Sequence, residues 1–88
     1  MAYTFDVKLQ AGKYEIQIDT RSKYGYFEHD LLGDEAGGGL WFDRVDPSEH
    51  PKSKSKLELI DYDGMACLPY RVREVLREAG FRVGPEFE

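Results

Sequence analysis

Apolar and polar side chains alternate in the first part of the chain. Residues 3–9 and 14–20, YTFDVKL and YEIQIDT, carry an apolar side chain at every second position. This period is typical of half-buried β-strands. It predicts one shared face for the apolar members of the first strand: Tyr3, Phe5, Val7 and Leu9. Gly12 lies between the two segments and suits the left-handed position of a short turn, so the strands are predicted to form a hairpin.

Three further segments read as strands, namely residues 24–30, 40–45 and 57–64 (YGYFEHD, LWFDRV and LELIDYDG). The first two carry bulky apolar side chains on both faces, unlike the initial hairpin. Residues 46–56, DPSEHPKSKSK, are polar and contain two prolines. We therefore predict a flexible surface loop before the last of these strands.

A helix is predicted over residues 68–81, LPYRVREVLREAGF. Its apolar positions recur at three-four spacing: Val72, Val75, Leu76 and Ala79. Pro69 suits the first turn, and Gly80 suits a left-handed helix end. Residues 81–83 are a candidate last strand, and residues 85–88 are predicted to fray. The fold class is α+β, with a four- to five-stranded, mainly antiparallel sheet and one C-terminal helix packed on one face.

Composition and charge narrow the functions of this 88-residue chain, which we expect to form a single domain. Its formal net charge of −5 argues against direct nucleic-acid binding. The single cysteine permits no internal disulfide and fits a reducing compartment. No basic stretch followed by an apolar run opens the chain, and no segment approaches a membrane span. We expect a cytoplasmic protein that does not bind a membrane.

The most polar stretch, residues 28–42 (EHDLLGDEAGGGLWF), has two interpretations. As a metal site it depends on Asp30, Asp34 and Glu35, because Glu28 and its neighbour His29 point to opposite faces of a strand. As a hairpin connection it needs only exposed carboxylates and glycines that leave room for the Trp41 ring. We favour the exposed connection and expect no bound metal. A small metal-dependent or hydrolytic enzyme using these three carboxylates and His29 is the alternative.

Catalytic groups give a weaker signal. Cys67 lies near the predicted helix start and would need His29 or His50 as a base. A lone cysteine among apolar residues is more often a small buried hydrophobe. The pair Asp61 and Asp63 is better explained by turn chemistry before Gly64 than by shared proton transfer. We expect no enzymatic activity and no cofactor.

The large aromatic content, 14 %, exceeds what one helix can cover. Clusters rich in tyrosine and tryptophan on an uncovered sheet face are characteristic of interaction surfaces. The predicted anchors for a protein partner are Tyr24, Tyr26, Trp41 and Phe42, with a polar rim of Asp30, Asp34 and Glu35. Two alternatives remain. The same face forms a homodimer, or the acidic loop or C-terminal tail folds over it.

Four motifs in order, YGYFEHD, GDEAGGGLWF, LIDYDG and LPYRVREVLREAGF, resemble a group of short hypothetical proteins of bacteriophages and prophages. The resemblance covers roughly residues 24–42 and 57–83. It carries no assigned activity or catalytic residues. It implies an accessory protein of a mobile element that acts in the bacterial cytoplasm by binding a host or phage protein, including host defence machinery.

Overall fold

Five antiparallel strands form one sheet, in which each strand lies beside the next one in the chain. The computed structural model describes residues 3–64 and 67–88. The strands are β1 (Val7–Ala11), β2 (Tyr14–Asp19), β3 (Tyr24–His29), β4 (Gly33–Arg44) and β5 (Leu57–Gly64). Helix α1 (Tyr70–Glu78) follows them and packs on one face. The predicted α+β fold with one C-terminal helix is confirmed.

The core lies between α1 and the sheet face towards it, which we call the inner face. Val72 and Leu76 of the helix are fully buried there. The sheet contributes apolar side chains from every strand, with these fully or almost fully buried members: Ala11, Ile16, Ile18, Phe27, Leu40, Phe42 and Leu59. The opposite sheet face, which α1 does not cover, is called the outer face. This division decides which of the many aromatic side chains remain accessible.

Two glycines take the left-handed conformations that the sequence predicts. Gly12 has φ 64° in the β1–β2 turn, and Gly80 has φ 98° just beyond α1. Only glycine adopts this region without a steric penalty, so both elements end where the pattern indicates. Pro69 directly precedes the helix, where its missing N–H costs no hydrogen bond.

The glycine-rich stretch is a strand, which corrects the prediction of a long loop. Strand β4 begins at Gly33, and the β3–β4 connection is confined to residues 30–32. His29 is paired with Gly33, but Phe27 is paired with Gly38, so β4 has extra residues at an irregularity between these pairs. The carboxylates of Asp34 and Glu35 therefore belong to strand β4 and not to the loop that the sequence predicts.

The chain ends also differ from the sequence prediction. Strand β1 begins only at Val7, so residues 3–6 lie outside it. At the other end, the predicted frayed tail instead forms a short 3-10 turn, Pro85–Phe87. The Arg73 guanidinium donates a hydrogen bond to the carbonyl of Phe87 at 3.0 Å, which ties this turn to α1. The C-terminal tail therefore does not cover the outer face.

The last predicted strand is reduced to one parallel bridge between Arg82 and Glu58 of β5. The Arg82 backbone forms hydrogen bonds with the backbones of Leu57 and Leu59, each 2.9 Å long. These bonds cover the edge of β5 that does not pair with β4. Residues 46–56 contain turns but no strand or helix. Within the two described ranges, no helix is long and apolar enough to cross a membrane.

Candidate functional site on the outer sheet face

Five aromatic rings form a continuous run on the outer face. In order of contact they are Tyr26, Phe5, Tyr3, Tyr24 and Trp41. Neighbouring ring centroids are 5.3, 5.9, 5.1 and 5.5 Å apart along this run. These distances lie in the range of favourable aromatic pairs. We call this run the outer aromatic cluster.

Strands β3 and β4 place three of the five rings by their register. Phe27 and Gly25 of β3 face the core, so the alternating residues Tyr24 and Tyr26 project to the outer face. Trp41 of β4 is paired with Tyr24, which puts both rings on the same face. The predicted anchors Tyr24, Tyr26 and Trp41 are therefore together on the side without a helix.

Phe42, the fourth predicted anchor, is on the other face. Its side chain is only 3 % exposed and lies against Phe81, with ring centroids 5.1 Å apart. Residues that follow one another in a strand point to opposite faces, so Trp41 and Phe42 cannot both belong to one surface. The prediction that Phe42 contacts a partner is wrong. Its place is in the core.

Tyr3 and Phe5 join the cluster although the alternation predicts that they face the core with Val7 and Leu9. Residues 3–6 leave the plane of β1 and lie over the outer face, where Tyr3 contacts Tyr24 and Phe5 contacts Tyr26. The local pattern contains no sign of this change of face. The only indirect signal is the surplus of tyrosines on β3, which needs some cover.

Trp41 lies over the glycine run. A Cβ added to Gly39 would be 2.9 Å from the far edge of the Trp41 ring, so the absence of a side chain at Gly39 makes room for the indole. The sequence predicts such room across a neighbouring strand, whereas the ring lies over its own strand. Trp41 remains 37 % exposed and Tyr3 53 % exposed. The cluster is therefore partly open at both of these rings.

Carboxylates surround the cluster on the same face. Glu15 of β2 is paired directly with Glu28 of β3, and Asp61 and Asp63 of β5 are paired with Trp41 and Gly39. Like charges opposite each other across strands destabilise a sheet. The Gln17 amide donates a hydrogen bond to the Glu15 carboxylate at 3.3 Å, and among the described residues no other side chain donates to this pair. The outer face thus has an electrostatic cost that a bound cation would relieve.

Burial and the carboxylates of the outer face change the pKa of Tyr26. Burial raises the pKa of the Tyr26 phenol above its ordinary value, and the negative charges of Glu28 and Glu15 raise that pKa further. Both effects favour the neutral phenol. Tyr26 therefore acts at neutral pH as an uncharged ring and hydroxyl beside two carboxylates.

The predicted acidic rim is only partly assembled. Asp34 lines a shallow groove on the outer face together with Glu28 and Asp63. Glu35 instead borders a small cavity with Tyr14 and Tyr62, whose rings belong to the inner side. Asp30 lies in the β3–β4 turn, where it accepts a hydrogen bond from Gln10 at 3.2 Å. The three carboxylates thus do not converge, and in residues 3–64 and 67–88 no three His, Cys, Asp or Glu side chains lie where they could hold a metal ion.

The candidate catalytic side chains have other surroundings. The Nδ1 atom of His29 accepts backbone hydrogen bonds from Leu31 at 3.1 Å and Leu32 at 3.2 Å, so this imidazole stabilises the β3–β4 turn. His50 lies in the polar loop beside Glu58, 4.0 Å away. Cys67 is exposed, which corrects the prediction of a buried small hydrophobe.

Two aspartates attach residues 3–6 to the outer face. Asp19 is buried, and its Oδ2 accepts a hydrogen bond from the Thr4 amide at 3.0 Å. Asp6 accepts from the Thr20 amide at 2.9 Å and from the Thr20 hydroxyl. The hydroxyl bond from Thr20 lowers the pKa of Asp6, and the amide bond from Ser22 is the main cause that lowers the pKa of Asp19.

These two lowered pKa values predict how stability depends on pH. Each carboxylate has a lower pKa in the folded than in the unfolded chain, where it is about 3.9. The stabilisation is therefore complete above the unfolded pKa and is lost as pH falls through the folded pKa. Asp6→Asn should lower the urea midpoint at pH 7, and its difference from the parent chain should shrink towards pH 2.5. A difference that stays constant at every pH would contradict this.

Comparisons with known proteins add no family assignment. No family model matches the chain, and neither curated proteins nor solved structures give a significant match. The resemblance to phage proteins stays a prediction, and the surface itself carries the functional argument.

Proposed function

We propose that this protein is a small, non-enzymatic binding protein that captures a protein partner through its outer sheet face. The observation that carries the proposal is the outer aromatic cluster, a run of five rings on the face opposite α1 with Trp41 and Tyr3 partly open. Exposed aromatic clusters of this kind favour interaction surfaces because tyrosine and tryptophan bury much area at small entropic cost.

The charges beside the cluster favour a basic partner. Glu15, Glu28, Asp61 and Asp63 share the outer face with the rings. A lysine or arginine from a partner would relieve the repulsion between Glu15 and Glu28 and can also lie over an aromatic ring. Asp34 adds to this rim, whereas Asp30 and Glu35 lie away from it. The resemblance to phage proteins adds the context of a host or phage protein as the partner.

A homodimer through the same face is the second candidate, favoured by the same exposed rings. In a two-fold dimer the outer face meets its own copy, so the carboxylates of one subunit approach those of the other. Like charges brought together across an interface oppose association. The charge pattern therefore supports a foreign basic partner over self-association, and native mass spectrometry over a range of protein concentrations tests that preference.

Partner capture tests the main proposal. The immobilised 88-residue chain should retain a specific protein from bacterial lysate. Trp41→Ala should weaken the affinity for that protein by at least about 30-fold, as expected for an aromatic anchor. Tyr70→Ala is the matched control, because Tyr70 is 61 % exposed but lies on α1. Equal losses in both variants, or retention by Trp41→Ala, would remove the outer face from the function. The purified pair gives the affinities by calorimetry.

A further inference from the structure

Residues 3–6 already occupy part of the outer face. They precede β1, outside any strand, yet Tyr3 lies against Tyr24 at 5.1 Å and Phe5 against Tyr26 at 5.3 Å. Tyr3 and Phe5 are two positions apart in the chain, and so are Tyr24 and Tyr26. Two residues is the side-chain period of an extended chain. The segment therefore lies along β3 in the same direction, with ring matched to ring.

Within residues 3–64 and 67–88, each hydrogen bond that attaches this segment is accepted by an aspartate side chain. Thr4 donates its amide to the Asp19 carboxylate, and Thr20 donates its amide and hydroxyl to the Asp6 carboxylate. The ladder between β1 and β2 begins only at the pair Val7 and Ile18. Residues 3–6 can therefore leave the face without breaking a backbone pair of the sheet.

We propose that residues 3–6 are an exchangeable occupant of the outer face, and that the partner replaces them with an extended segment of its own. This inference rests on the proposed function and specifies the partner's chemistry. The partner segment carries aromatic side chains at two alternate positions, which take the places of Tyr3 and Phe5 beside Tyr24 and Tyr26.

The register adds a third requirement. Tyr24, Tyr26 and Glu28 follow one another on the outer face of β3 at two-residue spacing, and Glu28 is paired with Glu15. A segment that continues along β3 beyond its second ring therefore reaches two adjacent carboxylates. A lysine or arginine at this position complements their charge. The partner motif is aromatic, any residue, aromatic, any residue, basic, in the N-to-C direction of β3.

Synthetic peptides test this motif on the full chain. The double variant Tyr3→Ala/Phe5→Ala vacates the ring positions, and the probe is acetyl-YTFTK-amide, followed by two-dimensional NMR at the Trp41 indole. The probe should bind the double variant at least tenfold more tightly than it binds the unaltered chain. The control ATATK should not bind, and YTFTE should bind more weakly than the lysine peptide. Equal affinity for both proteins, or no binding to a folded double variant, would overturn the proposal.

Hydrogen exchange on the unaltered chain provides a second test that does not depend on a variant. The amides of Thr4 and Thr20 donate directly to the two aspartates, so their exchange reports the opening of the attachment. Their protection factors should be at least about 100-fold smaller than those of the central strands β2 and β3, as for a local opening. Equal protection would mean that residues 3–6 leave the outer face only when the whole protein unfolds. That result would overturn the proposal that a partner segment replaces them.

The outcomes separate this inference from the proposed function. If Trp41→Ala abolishes partner capture while Thr4 and Thr20 are protected like the core, the docking face stands and the exchange of residues 3–6 fails. The opposite result is that the attachment opens and YTFTK binds, while Trp41→Ala does not reduce partner capture. The exchange of residues 3–6 is then supported and the proposed function fails.

Discussion

Phe42→Ala is expected to lower the free energy of unfolding by about 3–5 kcal/mol, the usual cost of truncating a buried phenylalanine. Phe42 is 3 % exposed and contacts Phe81, which follows α1 and is itself buried. Truncation leaves a cavity between β4 and the helix end, where the surrounding side chains are held by the sheet register. Urea unfolding followed by far-UV circular dichroism gives the value directly.

Trp41→Ala is the neighbouring control in the same strand. Trp41 is 37 % exposed and lies on the outer face beside Tyr24, so its truncation opens no cavity in the core, and we expect a clearly smaller loss than for Phe42→Ala. The contrast between the two variants tests the face assignment of β4. If Trp41→Ala destabilised the protein as much as Phe42→Ala, Trp41 would be a core residue and the binding surface would lose its tryptophan anchor.

Gly38→Ala is the second substitution with a large expected effect. A Cβ at Gly38 would be 2.4 Å from the backbone carbonyl oxygen of Asp63 and 2.6 Å from the ring of Tyr62. The carbonyl belongs to the ladder between β4 and β5, so it cannot move without disturbing the pairing. We expect a cost of about 1–3 kcal/mol from overcrowding, measured by the same urea unfolding experiment.

Gly39→Ala provides the matched control one position later. The three atoms nearest to the new Cβ all belong to the outer edge of the Trp41 ring, which can rotate away into solvent. We expect a stability change within about 0.5 kcal/mol, together with a shift of the Trp41 fluorescence maximum as the ring moves. Equal destabilisation by both alanines would contradict the close approach of β4 and β5 at Gly38.

Local patterns were sufficient for much of the fold. The β1–β2 hairpin follows from the two-residue period and Gly12, and α1 follows from the stripe that includes Val72 and Leu76. These signals are local because they depend on side-chain direction and allowed backbone conformations within a few residues. The order of the strands also follows from short connections, which favour neighbouring antiparallel pairs.

The glycine run shows where local reasoning is insufficient. Three successive glycines and preceding carboxylates have low strand propensity, so residues 33–39 look like a loop. In the structure they extend β4, because glycine permits the close approach of a neighbouring backbone at Gly38 and of the Trp41 ring at Gly39. Both groups that occupy this space come from outside the run. Composition alone does not show them.

The sequence by itself determined the α+β class, most strand and helix positions, and the presence of more aromatic side chains than one helix covers. Only the tertiary structure decided the face of each ring: Phe42 lies in the core, Trp41 lies outside, and Tyr3 and Phe5 cross to the outer face. It also separated Asp34 from Glu35. The reason is physical, because the face of a side chain depends on the register between strands and on contacts between residues distant in the chain, whereas a local period is unchanged when every side chain moves to the opposite face.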